Sequence, residues 1–228
     1  SFCCVSFKKS KCPELAWFGN KVIPMIHIVD YGLGNVQAIL TTFKRLGVEA
    51  TRAKTAEDLT GASKIILPGV GAFDHAIELL DKSGMRPSLD VLVLRNKVSV
   101  LGICVGMQIL ASSSDEGQLP GLGWLPGRVR AFHTNEQSAG LPIPHMGWND
   151  VKPVLGSPLF AKLEADARFY FLHSYYFECE AASCVTAVAS YGFDFSCAVS
   201  SDNVYGVQFH PEKSHHFGSQ LLRNFSEL

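Results

Sequence analysis

One stretch near the middle of the chain restricts the fold more than any other. Residues 98–103 (Val-Ser-Val-Leu-Gly-Ile) are short, apolar and β-branched, the composition of a strand buried on both faces of a parallel sheet. They run directly into Cys104-Val105-Gly106-Met107-Gln108-Ile109-Leu110-Ala111, which reads as the first turns of a helix. A strand that becomes a helix at one residue has no loop in which to change direction. The side chain at that corner stands alone at the sheet edge on a strained backbone, and Gly102 and Gly106 leave room for strand and helix to cross. This is the frame of a nucleophile elbow with a thiol at its corner. A helix N-terminus beneath such a thiol favours the thiolate through unpaired amides and the macrodipole.

The surrounding pattern agrees with the α/β architecture that an elbow requires. Residues 25–30 read as a strand, and residues 35–46 as an amphipathic helix with Val36, Ile39, Leu40 and Phe43 on one face and a stop at Gly47. Residues 64–67 form a further buried strand that ends at Pro68-Gly69-Val70-Gly71, and residues 73–80 and 89–96 look helical. Such alternation predicts a mostly parallel central sheet flanked by helices. From about residue 115 to 209 the chain is rich in Gly, Pro and aromatic residues, with short strands expected at 128–132, 168–172, 185–190, 197–200 and 204–209. These are read as β-rich insertions in one domain, closed by an amphipathic helix over 216–228.

A second segment completes the elbow chemically. Gln208-Phe209-His210-Pro211-Glu212-Lys213-Ser214 follows a strand-like run, so His210 falls at a strand end, where open α/β sheets bind ligands. A histidine that exchanges a proton with the thiol, and a carboxylate two residues later to orient it, make a Cys104–His210–Glu212 triad. No compact set of Cys and His has zinc-site spacing, and no metal or other cofactor is expected.

Composition excludes several classes. A formal net charge of −1 offers no basic excess for nucleic acid or an anionic membrane surface. No apolar run approaches the ~20 residues of a membrane-spanning helix. Seven cysteines in 228 residues do not make a disulfide scaffold, and a nucleophilic thiol favours a reducing compartment, so the expected location is cytoplasmic or a reducing organelle. Residues 1–24 hold Cys3, Cys4 and Cys12 with Lys8, Lys9 and Lys11, show no sustained periodicity, and are read as a leader or extension before a domain over 25–228.

Two glycine loops need weighing. Asp30-Tyr31-Gly32-Leu33-Gly34-Asn35 resembles a dinucleotide loop, but Gln37 stands where a third glycine belongs, and the second strand ends in Arg52, not an acid. Pro68-Gly69-Val70-Gly71 reads either as a plain turn or as a source of backbone amides near Cys104; in the second case Gly69, Val70 and the amide of Val105 would form an oxyanion hole.

Taken together, the elbow and His210-Pro211-Glu212 resemble the class I, triad-type glutamine amidotransferases. Tyr31-Gly32-Leu33-Gly34-Asn35, Pro68-Gly69-Val70-Gly71, Gly121-Leu122-Gly123-Trp124, Pro144-His145-Met146-Gly147-Trp148-Asn149, His173-Ser174-Tyr175 and the extension to Lys213-Ser214 narrow the resemblance to the glutaminase subunits of imidazole glycerol phosphate synthases. The resemblance covers residues 25–228, with Val105 in place of a commoner leucine. It implies attack of Cys104 on the side-chain amide of glutamine, a glutamyl thioester, and release of ammonia and glutamate. It further implies Gln108, Glu116, Tyr170, Ser174 and Tyr175 as glutamine contacts. The implied partner is a cyclase subunit with a TIM-barrel fold, in a heterodimer that makes imidazole glycerol phosphate and AICAR for histidine biosynthesis. Asn35, Trp148, Asn149 and Lys213 match interface positions, with Trp148 as an aromatic gate for ammonia.

Three other readings stay open on sequence alone. The triad also suits a stand-alone thiol γ-glutamyl hydrolase, or another class I amidotransferase subunit serving a different acceptor. A subunit that regulates without turning over would have no need of all three triad residues.

Overall fold

The computed structural model describes residues 25–228, so the extension expected at residues 1–24 lies outside the described residues. In chain order the strands are β1 (Ile26–Val29), β2 (Ala50–Ala53), β3 (Lys64–Gly69), β4 (Ser99–Cys104), β5 (Ser113–Ser114), β6 (Gly127–Ala131), β7 (His145–Asp150), β8 (Lys152–Pro153), β9 (Arg168–His173), β10 (Tyr175–Cys179), β11 (Val185–Tyr191), β12 (Phe193–Ser201) and β13 (Val204–Val207). The helices are α1 (Val36–Leu46), α2 (Phe73–Lys82), α3 (Arg86–Asp90), α4 (Val105–Gln108) and α5 (His215–Glu227).

The central sheet runs β2-β1-β3-β4-β13 with every neighbour parallel, then continues through β12, β10 and β6, each antiparallel to the one before. The alternating first half of the chain thus builds the parallel strands, while the aromatic-rich stretch extends the same sheet. Strands β7 and β9 pair with each other as a separate antiparallel ribbon.

Local chemistry explains the elements. β1 and β3 are buried along their whole length, consistent with strands covered on both faces. Asn35 caps α1 by accepting the Ala38 amide at 3.1 Å, and Gly47 ends it in the left-handed region. Ile39 and Phe43 of α1 and Leu221, Leu222 and Phe225 of α5 are fully sequestered, each worth about 1.5–3 kcal/mol relative to exposure.

Some elements differ from the sequence reading. The helix expected at 89–96 starts earlier, at Arg86 with Pro87 in its first turn, and widens into a π-helical turn over Val91–Arg95. The elbow helix stops at Gln108 instead of reaching Ala111, because the carbonyls of Ile109 and Ala111 accept the amides of Leu122 and Gly123. No helix among the described residues is long and apolar enough to cross a membrane.

Candidate active site

Cys104 ends β4 and opens α4 with φ +55° and ψ −116°, a conformation that is costly for a side chain with a Cβ and that a surrounding frame must hold in place. The frame is tight. A Cβ on Gly102 would lie 2.5 Å from the Gly106 carbonyl oxygen, and one on Gly106 would lie 1.9 Å from the Leu67 carbonyl oxygen. Only glycine lets α4 settle this closely on β3 and β4.

The histidine arrives by strand pairing. β13 lies parallel to β4 with Val207 opposite Ile103, so the residues that follow leave the sheet beside Cys104. His210 Nδ1 is 2.9 Å from Glu212 Oε1, and both side chains are almost wholly buried. Burial works against charge on the imidazole, but the Cys104 sulfur and the Glu212 carboxylate outweigh it, and the His210 pKa stands at about 10. His210 therefore holds its second proton at neutral pH. The backbone is pinned as well: the His210 amide donates to the Tyr170 carbonyl at 2.9 Å, and Ser214 Oγ donates to the His210 carbonyl at 2.6 Å while accepting the Tyr170 amide at 3.0 Å.

Cys104 and His210 open into a cavity of about 250 Å³. Of the residues expected to contact glutamine, Gln108, Glu116, Ser174 and Tyr175 line this cavity. Tyr170 does not: its ring packs against Trp148 at 6.2 Å and lies under the Lys213 ammonium at 5.6 Å, on the outer side of β9. Glu116 Oε2 accepts the Phe73 amide at 2.9 Å, which fixes the carboxylate over the start of α2. Burial holds the Glu116 carboxyl above the usual range, opposed by that amide and reinforced by Asp74.

The proposed oxyanion residues divide in the same way. Val70 and Val105 line the cavity, whereas Gly69 lies behind it, paired in register with Cys104. The glycine loop that fails as a nucleotide motif packs on this turn: Tyr31 Oη donates to the Pro68 carbonyl at 2.8 Å, and a Cβ on Gly34 would come within 2.6 Å of the Pro68 Cβ. Burial, with the nearby Cys104 sulfur, raises the Tyr31 pKa well above the ordinary phenol value, which keeps its proton on that bond.

Among the expected interface residues, Trp148 is 40% exposed and stacks on His215 with ring centroids 5.1 Å apart. The Asn35 side chain is occupied as the α1 cap, and that of Asn149 reaches the Ser190 carbonyl at 2.9 Å and His145 at 3.2 Å.

Several residues here carry no role in the sequence reading. Gln208, fully buried, stands 3.8 Å from the Cys104 sulfur and 3.0 Å from Gln108. His145 and His173, side by side beneath the cavity, join β7 to β9. Gln208, His145 and His173 fall inside the motifs quoted above, but only the strand pairing reveals their neighbours.

A family model for "Glutamine amidotransferase class-I" matches residues 27–227. A protein of Bdellovibrio bacteriovorus described as "Imidazole glycerol phosphate synthase subunit HisH" is 64% identical over 204 residues, covering 90% of this chain and all of that protein. One of the same description from Leptospira borgpetersenii is 51% identical over the same share of both. A solved structure described as a glutamine amidotransferase superposes with a TM-score of 0.69 at 22% identity, covering 89% of this chain and 97% of its own, which supports the fold. The chain belongs to the class I glutamine amidotransferases and, within them, to the HisH subunits of imidazole glycerol phosphate synthase.

Proposed function

We propose that Cys104, His210 and Glu212 hydrolyse glutamine to glutamate and ammonia, and that the ammonia passes to a cyclase subunit bound against this chain. The observation that carries the reading is the buried 2.9 Å His210–Glu212 bond beside a strained nucleophile that opens into a small cavity. The Cys104 sulfur attacks the side-chain carbonyl carbon of glutamine, forming the C–S bond. His210, already protonated, delivers its proton to the nitrogen as the C–N bond breaks and ammonia leaves. His210 then takes a proton from water, hydroxide adds to the thioester, and the C–S bond breaks to release glutamate. Val70 and Val105 supply amides to the oxyanion, with Gly69 setting the turn. Gln108, Glu116, Ser174 and Tyr175 hold the substrate; Glu116 suits its ammonium group.

Ammonia in neutral water is mostly protonated and a poor nucleophile, so transfer calls for a covered exit. Val70 and Leu172 are exposed large apolar side chains that line the cavity, and exposed Met146 lies across the ribbon from Leu172, with exposed Trp148 two residues further along β7. Such a patch fits a partner surface, here a TIM-barrel cyclase in a heterodimer. Trp148 and Lys213 are the side chains free to meet it; Asn35 and Asn149 act by fixing the backbone beneath. Cytoplasmic placement follows from the need to keep the thiol reduced.

The test is glutamate release by the chain alone and with a cyclase subunit plus its nucleotide substrate, repeated with Cys104→Ala. Release that rises steeply in the full mixture, and a variant whose complex works only with added ammonium, support the reading. High release by the chain alone, unchanged by the cyclase, would point to a stand-alone thiol hydrolase instead.

A further inference from the structure

The motif around His210 contains a second polar side chain that the triad does not use. Gln208 is fully buried, and its backbone amide is anchored to the Cys197 carbonyl at 2.9 Å. Its side-chain atoms can be assigned by elimination. The carbonyl of Tyr175 can only accept, so the atom of Gln108 that lies 3.2 Å from it is the amide nitrogen. That same nitrogen lies 3.0 Å from one terminal atom of the Gln208 amide, which must therefore be the oxygen. The other terminal atom, 3.8 Å from the Cys104 sulfur, is then a nitrogen with a proton to donate. The orientation is forced by a chain of three groups and does not depend on a bound ligand.

We infer that Gln208 is a catalytic residue of this site, whose side-chain N–H donates to the Cys104 sulfur and stabilises it whenever it carries negative charge. The inference rests on the glutaminase reading above and extends it to the charged states of the nucleophile. As a thiol the sulfur can donate toward the Leu172 carbonyl at 3.9 Å; as a thiolate it cannot, and Gln208 then serves as a second donor beside protonated His210. A thiolate is a much stronger acceptor than a thiol, so the contact tightens as negative charge builds on the sulfur. The same donor acts again in hydrolysis of the thioester. Water has added to the carbonyl carbon, the C–S bond breaks, and its electron pair returns to sulfur beside the Gln208 N–H. Because Gln108 lines the substrate cavity and fixes the Gln208 amide, the substrate pocket and the nucleophile share one hydrogen-bond chain.

The experiment follows alkylation of Cys104 by iodoacetamide against pH, read by peptide mass spectrometry, in the full chain. Gln208→Met keeps the length and removes the donor; Gln208→Glu sets a carboxylate oxygen against the sulfur. Expected is about a tenfold slower alkylation at neutral pH in Gln208→Met, with the profile moved to higher pH, and a larger change in Gln208→Glu. The turnover number falls with it, while KM for glutamine moves less. A Gln208→Met variant that melts like wild type and keeps the wild-type alkylation profile overturns the inference. If neither variant folds, the wild-type chain decides: the side-chain amide resonance of Gln208 must follow the titration of Cys104 and lose that response in Cys104→Ala. An unresponsive resonance also overturns it. If the profile shifts but the chain and cyclase together release no glutamate, the glutaminase reading fails and the contact stands.

Discussion

His173 Nε2 lies 2.9 Å from His145 Nδ1, and the direction of that bond is fixed from both ends. His173 Nδ1 donates to the Tyr175 carbonyl at 2.7 Å, so its Nε2 must accept from His145, whose own Nε2 then accepts from Asn149 at 3.2 Å. Neither ring has room for a second proton. Burial pushes His145 down to about 4, and burial, with the charges of His145 and His210, pushes His173 down to about 3 against the pull of the Tyr175 carbonyl.

Acid should therefore unfold the protein early. Between pH ~6.5 and ~4 the unfolded chain binds protons at these two histidines that the folded chain refuses, so stability rises with pH across the window. The contribution is complete above pH ~6.5 and is lost as pH falls through the folded values. Unfolding free energy, from urea titrations at pH 7 and pH 5, should drop by about 2–4 kcal/mol, and His145→Gln should flatten the slope by about half. Equal stability at the two pH values would refute the assigned protonation states.

Glu212 should govern the alkaline side of the activity profile. It is one of two groups that hold the His210 proton up to a pKa of about 10. In Glu212→Gln the imidazolium loses a charge partner, so its pKa moves down toward the ordinary ~6.5 and the alkaline limb of the turnover number moves with it. Turnover should fall by roughly 10²–10⁴-fold, through misorientation as well as lost charge. An alkaline limb at the wild-type position would mean that Glu212 only shapes the backbone.

The two kinds of glycine in this chain should respond very differently to alanine. Gly106→Ala places a Cβ 1.9 Å from the Leu67 carbonyl oxygen, and α4 must move off the sheet. We expect a loss of about 2–4 kcal/mol and of glutaminase activity, because the Cys104 corner moves with the helix. Gly47 has open space around it and only its positive φ to defend, so Gly47→Ala should cost about 1 kcal/mol and leave activity alone. Thermal melts and glutamate release distinguish the two, and equal losses would contradict the elbow's tight packing.

The contrast between Cys104 and Gln208 explains how much was legible in the sequence. Cys104, Gly102 and Gly106 announce themselves because strand, corner and helix are contiguous, and His210 with Glu212 because two residues separate base from carboxylate. Gln208 lies in plain view beside His210, yet its contact with Cys104 exists only because β13 pairs with β4 in one register. The β7–β9 ribbon was missed in part because β7 alternates buried His145 with exposed Met146 around Gly147, a weak strand signal. Tyr170 is the same lesson: it shares a face of β9 with Leu172, which lines the cavity, but its ring meets Trp148, the residue opposite it in the β7 register, and that pairing is invisible along the chain. The Tyr31–Asn35 loop has glycine spacing without the rest of a nucleotide site, and its packing against Pro68 supplies the reason.

Glu116 allows a substitution that separates binding from structure. Its Oε2 accepts the Phe73 amide at 2.9 Å, and the residue also faces the cavity. In Glu116→Gln the amide oxygen can keep the bond to Phe73, while an NH2 group replaces the negative end offered to the substrate ammonium. Stability should hold, and KM for glutamine should rise by about 10–100-fold with turnover nearly unchanged, the signature of a binding contact made equally in ground and transition states. Glu116→Ala removes both bonds, so it should raise KM to a similar degree and lower the melting temperature as well. A normal KM in both variants would leave Glu116 as a helix cap alone and require another group to neutralise the substrate ammonium.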